Sequence, residues 1–235
     1  MSRIKPVFLI AGGMRRMPIR PDPIIQKVFQ ESGLESPSVA YIGTANGDAE
    51  DFFRYISSFL SEAGASSVSH VLITSEHADL DVAKDLLRMS DIVFISGGDV
   101  DEGIQILRDK KMVSFLRELC EEGKPFFGIS AGSIMLAKEW VRWRDPEDNS
   151  TAELFPCLGF APILCDTHGE EDDWAELRVA VKLAGEKKGY GIPSGTALKV
   201  YSNGKIEALG GPVHQLIQTG QSVRKVGDIS PLWRL

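Results

Sequence analysis

Histidine and cysteine are scarce in this chain, and so are long apolar runs. Only four histidines and three cysteines occur among 235 residues. The thiols, Cys120, Cys157 and Cys165, form no C-x-x-C pair, and no His or Cys cluster has metal-ligand spacing. An odd, scattered set of cysteines argues against a disulfide framework and fits a reducing compartment, so the expected location is cytoplasmic. Arg3 and Lys5 precede an apolar run, Val7 to Ala11, that is too short for a signal peptide. No other run approaches the ~20 residues a membrane span needs. There is no phosphate-cradling G-x-x-x-x-G-K-[ST], and no G-x-G-x-x-G follows the first apolar run. The acidic run Glu170, Glu171, Asp172 and Asp173 reads as a solvated loop. No metal and no cofactor are expected. Basic residues are outnumbered 26 to 33, a net charge of −7, which argues against nucleic acid or an anionic membrane as partner.

Internal repeats, low-complexity tracts and linkers are absent too, so one domain over 1–235 is expected. What is present is an alternation. Short apolar runs at Val7–Ala11, Val39–Ile42, Val68–Ile73, Ile92–Ile95 and Pro125–Ile129 are bounded by Gly, Ser, Asp or Pro. Their continuous apolarity predicts strands covered on both faces, as in a parallel sheet. Helical periodicity fills the gaps at about Asp22–Glu31, Ala49–Ala63, Asp79–Met89 and Asp101–Glu122. The pattern predicts a three-layer, doubly wound, mostly parallel α/β sheet. Further on, a helix is expected over Ile134–Trp140, a polar loop over Arg142–Glu153, a strand over Gly159–Cys165 and a helix over Ala175–Leu183. Thr196–Ser202 and Lys205–Leu209 flank Asn203-Gly204, a hairpin signature. Arg224–Leu235 reads as an irregular tail with one short strand.

Ligands of open α/β sheets bind beyond the carboxyl ends of the strands. Those ends are Gly12-Gly13, Gly43-Thr44-Ala45-Asn46, Ser96-Gly97-Gly98-Asp99 and Ser130-Ala131-Gly132. The last lies within Gly128-Ile129-Ser130-Ala131-Gly132, the G-x-S-x-G of a nucleophile elbow. An apolar strand precedes it and a helix-compatible segment follows. Such a turn lifts the serine hydroxyl to the N-terminus of the next helix, where free N–H groups favour a developing negative charge. The alternative is a helix cap and nothing more.

A serine hydroxyl needs a base. His168, in Asp166-Thr167-His168, falls at an expected strand end and is the best placed. His77 is in reserve, His70 lies inside a strand, and His214 comes late in the chain. The carboxylates Asp145, Glu147, Asp148, Glu153 and Asp166 are all open as the base's partner, and spacing alone does not choose among them. An oxyanion needs two donors. The N–H of Ala131 supplies one, and Gly97-Gly98 can supply the other without a side chain in the way.

Taken together, these segments resemble the serine peptidases that include dipeptidase E and cyanophycinase. Gly128–Ser133 is similar to their nucleophile motif, and Tyr41–Ala45 to their second strand end. Phe94–Asp99 is similar to the oxyanion loop, Asp166-Thr167-His168 with Arg178 to the base segment, and Gly191–Ala197 to a late stretch. The resemblance implies a fold like the glutaminase domain of class I glutamine amidotransferases, and hydrolysis of small peptides. It implies Ser130 as nucleophile, His168 as base and Asp145 as acid, with Asp148 the alternative. Gly98 and Ala131 would form the oxyanion hole, and Asp99 and Arg178 would bind substrate. Val100 and the acidic run 170–173 depart from the family pattern. An acidic mouth repels an acidic substrate and suits a basic one. A homodimer is left open. Two rivals remain: an α/β-hydrolase esterase, which would open its sheet with an antiparallel strand, and a non-catalytic binding protein on this scaffold.

Overall fold

The computed structural model describes residues 4–12, 21–145, 147–185 and 188–234, so Gly13, named above, lies outside it. Five strands form a parallel block: β1 (Val7–Ile10), β2 (Ser38–Ile42), β3 (Ser67–Val71), β4 (Ile92–Ile95) and β5 (Phe126–Ile129). Between them run α1 (Pro23–Glu31), α2 (Glu50–Glu62), α3 (Leu80–Met89), α4 (Val100–Asp109) and α5 (Met112–Glu121). After β5 come α6 (Ala131–Leu136), the ribbon strands β6 (Glu139–Trp143) and β7 (Ala152–Pro156), β8 (Cys165–Thr167) and α7 (Ala175–Ala184). The chain ends with β9 (Lys188–Ile192), β10 (Ala197–Val200), β11 (Ile206–Gly210), β12 (Val213–Thr219), β13 (Ser222–Ile229) and β14 (Pro231–Arg234).

The large sheet has the order β14-β11-β10-β1-β5-β4-β2-β3. The expected fold class is what is found, a mostly parallel α/β sheet with helices on both faces. Strand residues alternate between two apolar clusters because successive side chains point to opposite faces. Val7 and Leu9 join the cluster under α3, α4, α5 and α6; Phe8 and Ile10 join the one under α1 and α2. Full burial of a Leu- or Phe-sized side chain contributes about 1.5–3 kcal/mol, so these two clusters dominate the stability. β1 lies mid-sheet, parallel to β5, and antiparallel pairing enters only through β10 and β11. That is not the opening expected of the esterase fold.

Several local expectations are corrected. The helix expected over 101–122 is two helices, broken at Lys110 and at Lys111, whose φ is +56°. Leu107 and Val113 are out of phase for one helix, yet both helices face the same core, so the stripe looked continuous. The helix expected over 134–140 starts at Ala131 and ends at Leu136. The polar segment 142–153 is not all loop, for its ends belong to β6 and β7. There Arg142 opposes Glu153 and bonds it at 2.8 Å. Gly159–Leu164 is irregular, and the strand begins only at Cys165.

The largest departure is a second sheet, β13-β12-β9-β8. The tail, read as irregular with one short strand, holds two: β14, and most of β13, eight residues, all exposed or half-buried, paired with β12. Without a buried face it shows no apolar alternation. Tyr190, Ile192 and Val213 nevertheless reach the same apolar cluster as Val7 and Leu9, so the two sheets share packing.

Candidate active site

The turn from β5 into α6 is tight because two glycines permit it. A side chain at Gly128 would begin 2.5 Å from the Gly132 carbonyl, and one at Gly132 would begin 2.1 Å from the Ile95 carbonyl. Ser133 fastens the turn from below. Its hydroxyl accepts the Ile10 N–H at 2.8 Å and faces the carbonyls of Ile10 and Gly128 at 2.9 and 2.8 Å.

Ser130 itself has φ +54° and ψ −124°. Backbone strain of this kind costs a non-glycine residue of order 1–3 kcal/mol and persists only where the surroundings impose it. Here the Ser130 N–H donates to the Ile10 carbonyl at 2.9 Å, and its own carbonyl accepts from Ser133 N–H at 2.8 Å. The hydroxyl makes no capping bond to α6. The turn is therefore strained, and the Ser130 hydroxyl is not used as a cap.

The loop after β4 lies against this serine. A side chain at Gly97 would start 3.2 Å from Ser130 Cβ. Asn46 Nδ2 donates to the Gly97 carbonyl at 2.9 Å, and also faces Tyr41 Oη and Ser96 Oγ, each at 3.2 Å. Because a trans peptide sets its C=O and N–H on opposite sides, tying the Gly97 carbonyl aims the Gly98 N–H the other way. Gly98 has φ +145°, and a Cβ there would fall 1.8 Å from the Ala45 carbonyl, so only glycine fits. Among the described residues, neither Gly98 N–H nor Ala131 N–H has a hydrogen-bond acceptor. Burial raises the Tyr41 hydroxyl above its ordinary value against the pull of Ser96 and Asn46, so it stays neutral in this network.

His168 follows β8 with φ +63°. Its Nδ1 lies 3.1 Å from Ser194 Oγ. Its Nε2 comes within 4.0 Å of where a side chain on Gly12 would begin, a point that Ile129 Cγ2 crowds at 2.8 Å. Gly12 is thus a notch with His168 on one side and Ile129, the neighbour of Ser130, on the other. No hydrogen bond joins Ser130 to His168 among the described residues. Catalytic hydrogen bonds often shorten only when substrate binds.

The remaining candidates stand elsewhere. Asp145 and Asp148 occupy the exposed tip between β6 and β7. Asp145 Oδ1 accepts the Glu147 N–H at 3.1 Å, and Asp148 Oδ1 accepts the Ser150 N–H at 2.8 Å. Bonds from the Ser150 hydroxyl and N–H hold the Asp148 carboxyl below its usual range. Neither acid bonds to His168. Arg178 is engaged within the chain: Nε donates to the Asp173 carbonyl at 2.7 Å, one terminal nitrogen to Asp173 Oδ2 at 2.7 Å, and the other to the Val223 carbonyl. Asp99 caps α4, one oxygen accepting the Glu102 N–H at 2.9 Å, and sits exposed beside Gly98. Glu153 is bound to Arg142 and Arg144. Asp166 is buried, with Oδ1 on its neighbour's Thr167 N–H at 2.6 Å.

Of the other histidines, His70 stacks on Phe53 with ring centroids 4.1 Å apart, His77 is exposed, and His214 pairs with Asp228 at 2.7 Å. The cysteines are free, and burial pushes the Cys120 and Cys157 thiols up to about 11 and about 12, so neither is a ready nucleophile. Sequence reasoning placed Asn46 at the ligand-facing edge without a role and missed Ser194; Glu170 is exposed, as expected of a loop charge, and its bond to Ser194 was not foreseen. The Gly-Ile-Pro-Ser stretch, ending a strand beside β8, was the available signal for Ser194.

Comparison with known proteins gives the fold and the family. A crystal structure of a peptidase from an acI-B1 Actinobacterium superposes with a TM-score of 0.71 at 17% identity, over 97% of both chains. A protein described as peptidase E from Listeria monocytogenes EGD-e superposes with a TM-score of 0.62 at 18% identity, over 87% of this chain and 98% of that one. In sequence, the chain is 25% identical over 141 residues to the uncharacterized peptidase YgaJ of Bacillus subtilis (strain 168), a match spanning 59% of each. The model of peptidase family S51 matches residues 7–208, so the chain belongs to that family.

Proposed function

We propose that this protein is a serine peptidase that hydrolyses amide bonds of small peptides through an acyl-enzyme. The observation that carries the reading is Ser130 at φ +54°, its hydroxyl unused as a cap, beside two N–H groups without acceptors among the described residues. Ser130 Oγ attacks the scissile carbonyl while His168 Nε2 takes its proton. Gly98 and Ala131 N–H groups meet the oxyanion; removing one such donor ordinarily costs about 10²–10³ in rate. His168 then returns the proton to the leaving amine. Water enters, is deprotonated by the same nitrogen and attacks the ester; the nitrogen then gives that proton to Ser130 Oγ as the acid leaves.

Arg178 is already bonded to Asp173, so a substrate carboxylate would have to displace that pair. Asp99, with one oxygen open beside Gly98, and the Glu170–Asp173 rim favour peptides with a cationic end over acidic ones. Free cysteines are consistent with a cytoplasmic setting.

The test is a dipeptide library offered to the parent protein and to Ser130→Ala. The variant is expected to keep its circular dichroism spectrum and lose turnover by at least ~10³-fold. A fluorophosphonate probe should label Ser130. Turnover that survives Ser130→Ala overturns the proposal.

A further inference from the structure

We propose that Ser194, backed by Glu170, is the positioning element for His168, in the place where a hydrolytic triad ordinarily has one carboxylate. This rests on reading Ser130 and His168 as nucleophile and base. β8 and β9 are parallel neighbours with Thr167 opposite Ile192, so the residues leaving their ends arrive side by side. His168 leaves one end, and Pro193-Ser194 leaves the other. The turn at Ser194 is fixed on both flanks. Thr196 Oγ1 donates to the Pro193 carbonyl at 2.7 Å, and Gly195 N–H donates to the Gly12 carbonyl at 2.7 Å.

Within this frame His168 Nδ1 meets Ser194 Oγ at 3.1 Å, and Ser194 N–H donates to Glu170 Oε1 at 2.5 Å. A hydroxyl can accept one bond while donating another. Ser194 Oγ can accept Nδ1–H while turning its own O–H towards Glu170 as a hydrogen-bond donor. Glu170 is exposed; the little burial it has works to raise its carboxyl, yet the carboxyl lies below its ordinary value. The Ser194 N–H, Glu170's own N–H, the Ser194 hydroxyl and the nearby His168 ring outweigh burial. A negative charge thus stands one hydroxyl away from Nδ1. Keeping the proton on Nδ1 leaves Nε2 bare on the Gly12 side, ready to accept from Ser130, and the charge stabilises the imidazolium that follows. The other acids do not compete. Asp145 and Asp148 are engaged in the hairpin tip, and Asp166 holds the Thr167 N–H.

Ser194→Ala, Ser194→Thr, Glu170→Gln and Asp145→Asn would be compared with the parent in two measurements. The first is kcat and KM on a hydrolysed dipeptide. The second is the 15N spectrum of the His168 ring, which reports its tautomer whether or not any substrate is found. Ser194→Ala and Glu170→Gln are expected to lower kcat at least about tenfold with KM within about twofold. In Ser194→Ala the Nδ1–H tautomer should give way to a mixture. Ser194→Thr, which keeps the hydroxyl, should retain both properties, and Asp145→Asn should change neither. An unaltered tautomer in Ser194→Ala, or losses confined to Asp145→Asn, would overturn the proposal. Failure of the Ser130 reading would appear separately, as absent labelling of Ser130 with the tautomer result intact.

Discussion

At the scale of the residue, the site is a problem of small volumes. Gly132 lies against the Ile95 carbonyl so closely that one methyl group has no room. Backbone cannot yield as a flexible side chain can. Gly132→Ala is expected to destabilise the fold by about 3 kcal/mol, near the upper end for an overpacked core, measurable as a lower urea midpoint. Ser130, between Gly128 and Gly132, was legible in the sequence because this steric demand leaves a five-residue trace. Gly98 was legible for the same reason. Ser194 was not. A lone serine after proline carries no periodicity and no charge, and its meaning comes only from the strand beside it. Asp145 and Asp148 show the converse, since a suitable distance along the chain did not become a bond to His168.

At the scale of the element, local chemistry sets the start of three helices, α1, α3 and α4, each capped by an aspartate. Asp22 begins α1 by accepting the N–H groups of Ile24 and Ile25 at 2.8 and 3.2 Å. Replacing it with alanine leaves those donors to water, with an expected loss of about 1 kcal/mol in a urea titration. Strands buried on both faces were visible as unbroken apolar runs, which is why β1, β2, β4 and β5 fell where expected. β13 was invisible because only its hydrogen bonds make it a strand. Lys111 was equally hidden: a lysine at φ +56° leaves no mark in a hydrophobic pattern.

At the scale of the whole molecule, one buried acid contributes a distinct dependence of stability on pH. Burial raises the Asp166 carboxyl to about 7; the Thr167 N–H opposes this, and Glu176, Asp172 and Glu170 add to it. An unfolded chain loses that proton near pH 4. Between about 4 and 7 the folded protein therefore holds one proton more than the unfolded, and this residue's contribution to stability falls as pH rises. About three pH units correspond to roughly 4 kcal/mol at most. Asp166→Asn keeps an acceptor for the Thr167 N–H. The variant is expected to match the parent near pH 4 and exceed it by a few kcal/mol at pH 8, in paired denaturant titrations. A variant no more stable at pH 8 would refute this.

The serine rides the end of the large sheet, whereas the imidazole and Ser194 ride the end of the small one. Under the proposed mechanism, cleavage depends on these two bodies, the large sheet and the small, keeping the register that their shared packing gives them. The outer strand of the small sheet is exposed or half-buried along its full length, so this body should loosen first. Mild denaturant is thus expected to silence peptide cleavage while far-ultraviolet ellipticity is still intact, and a covalent inhibitor bridging both bodies should bring the two losses back together.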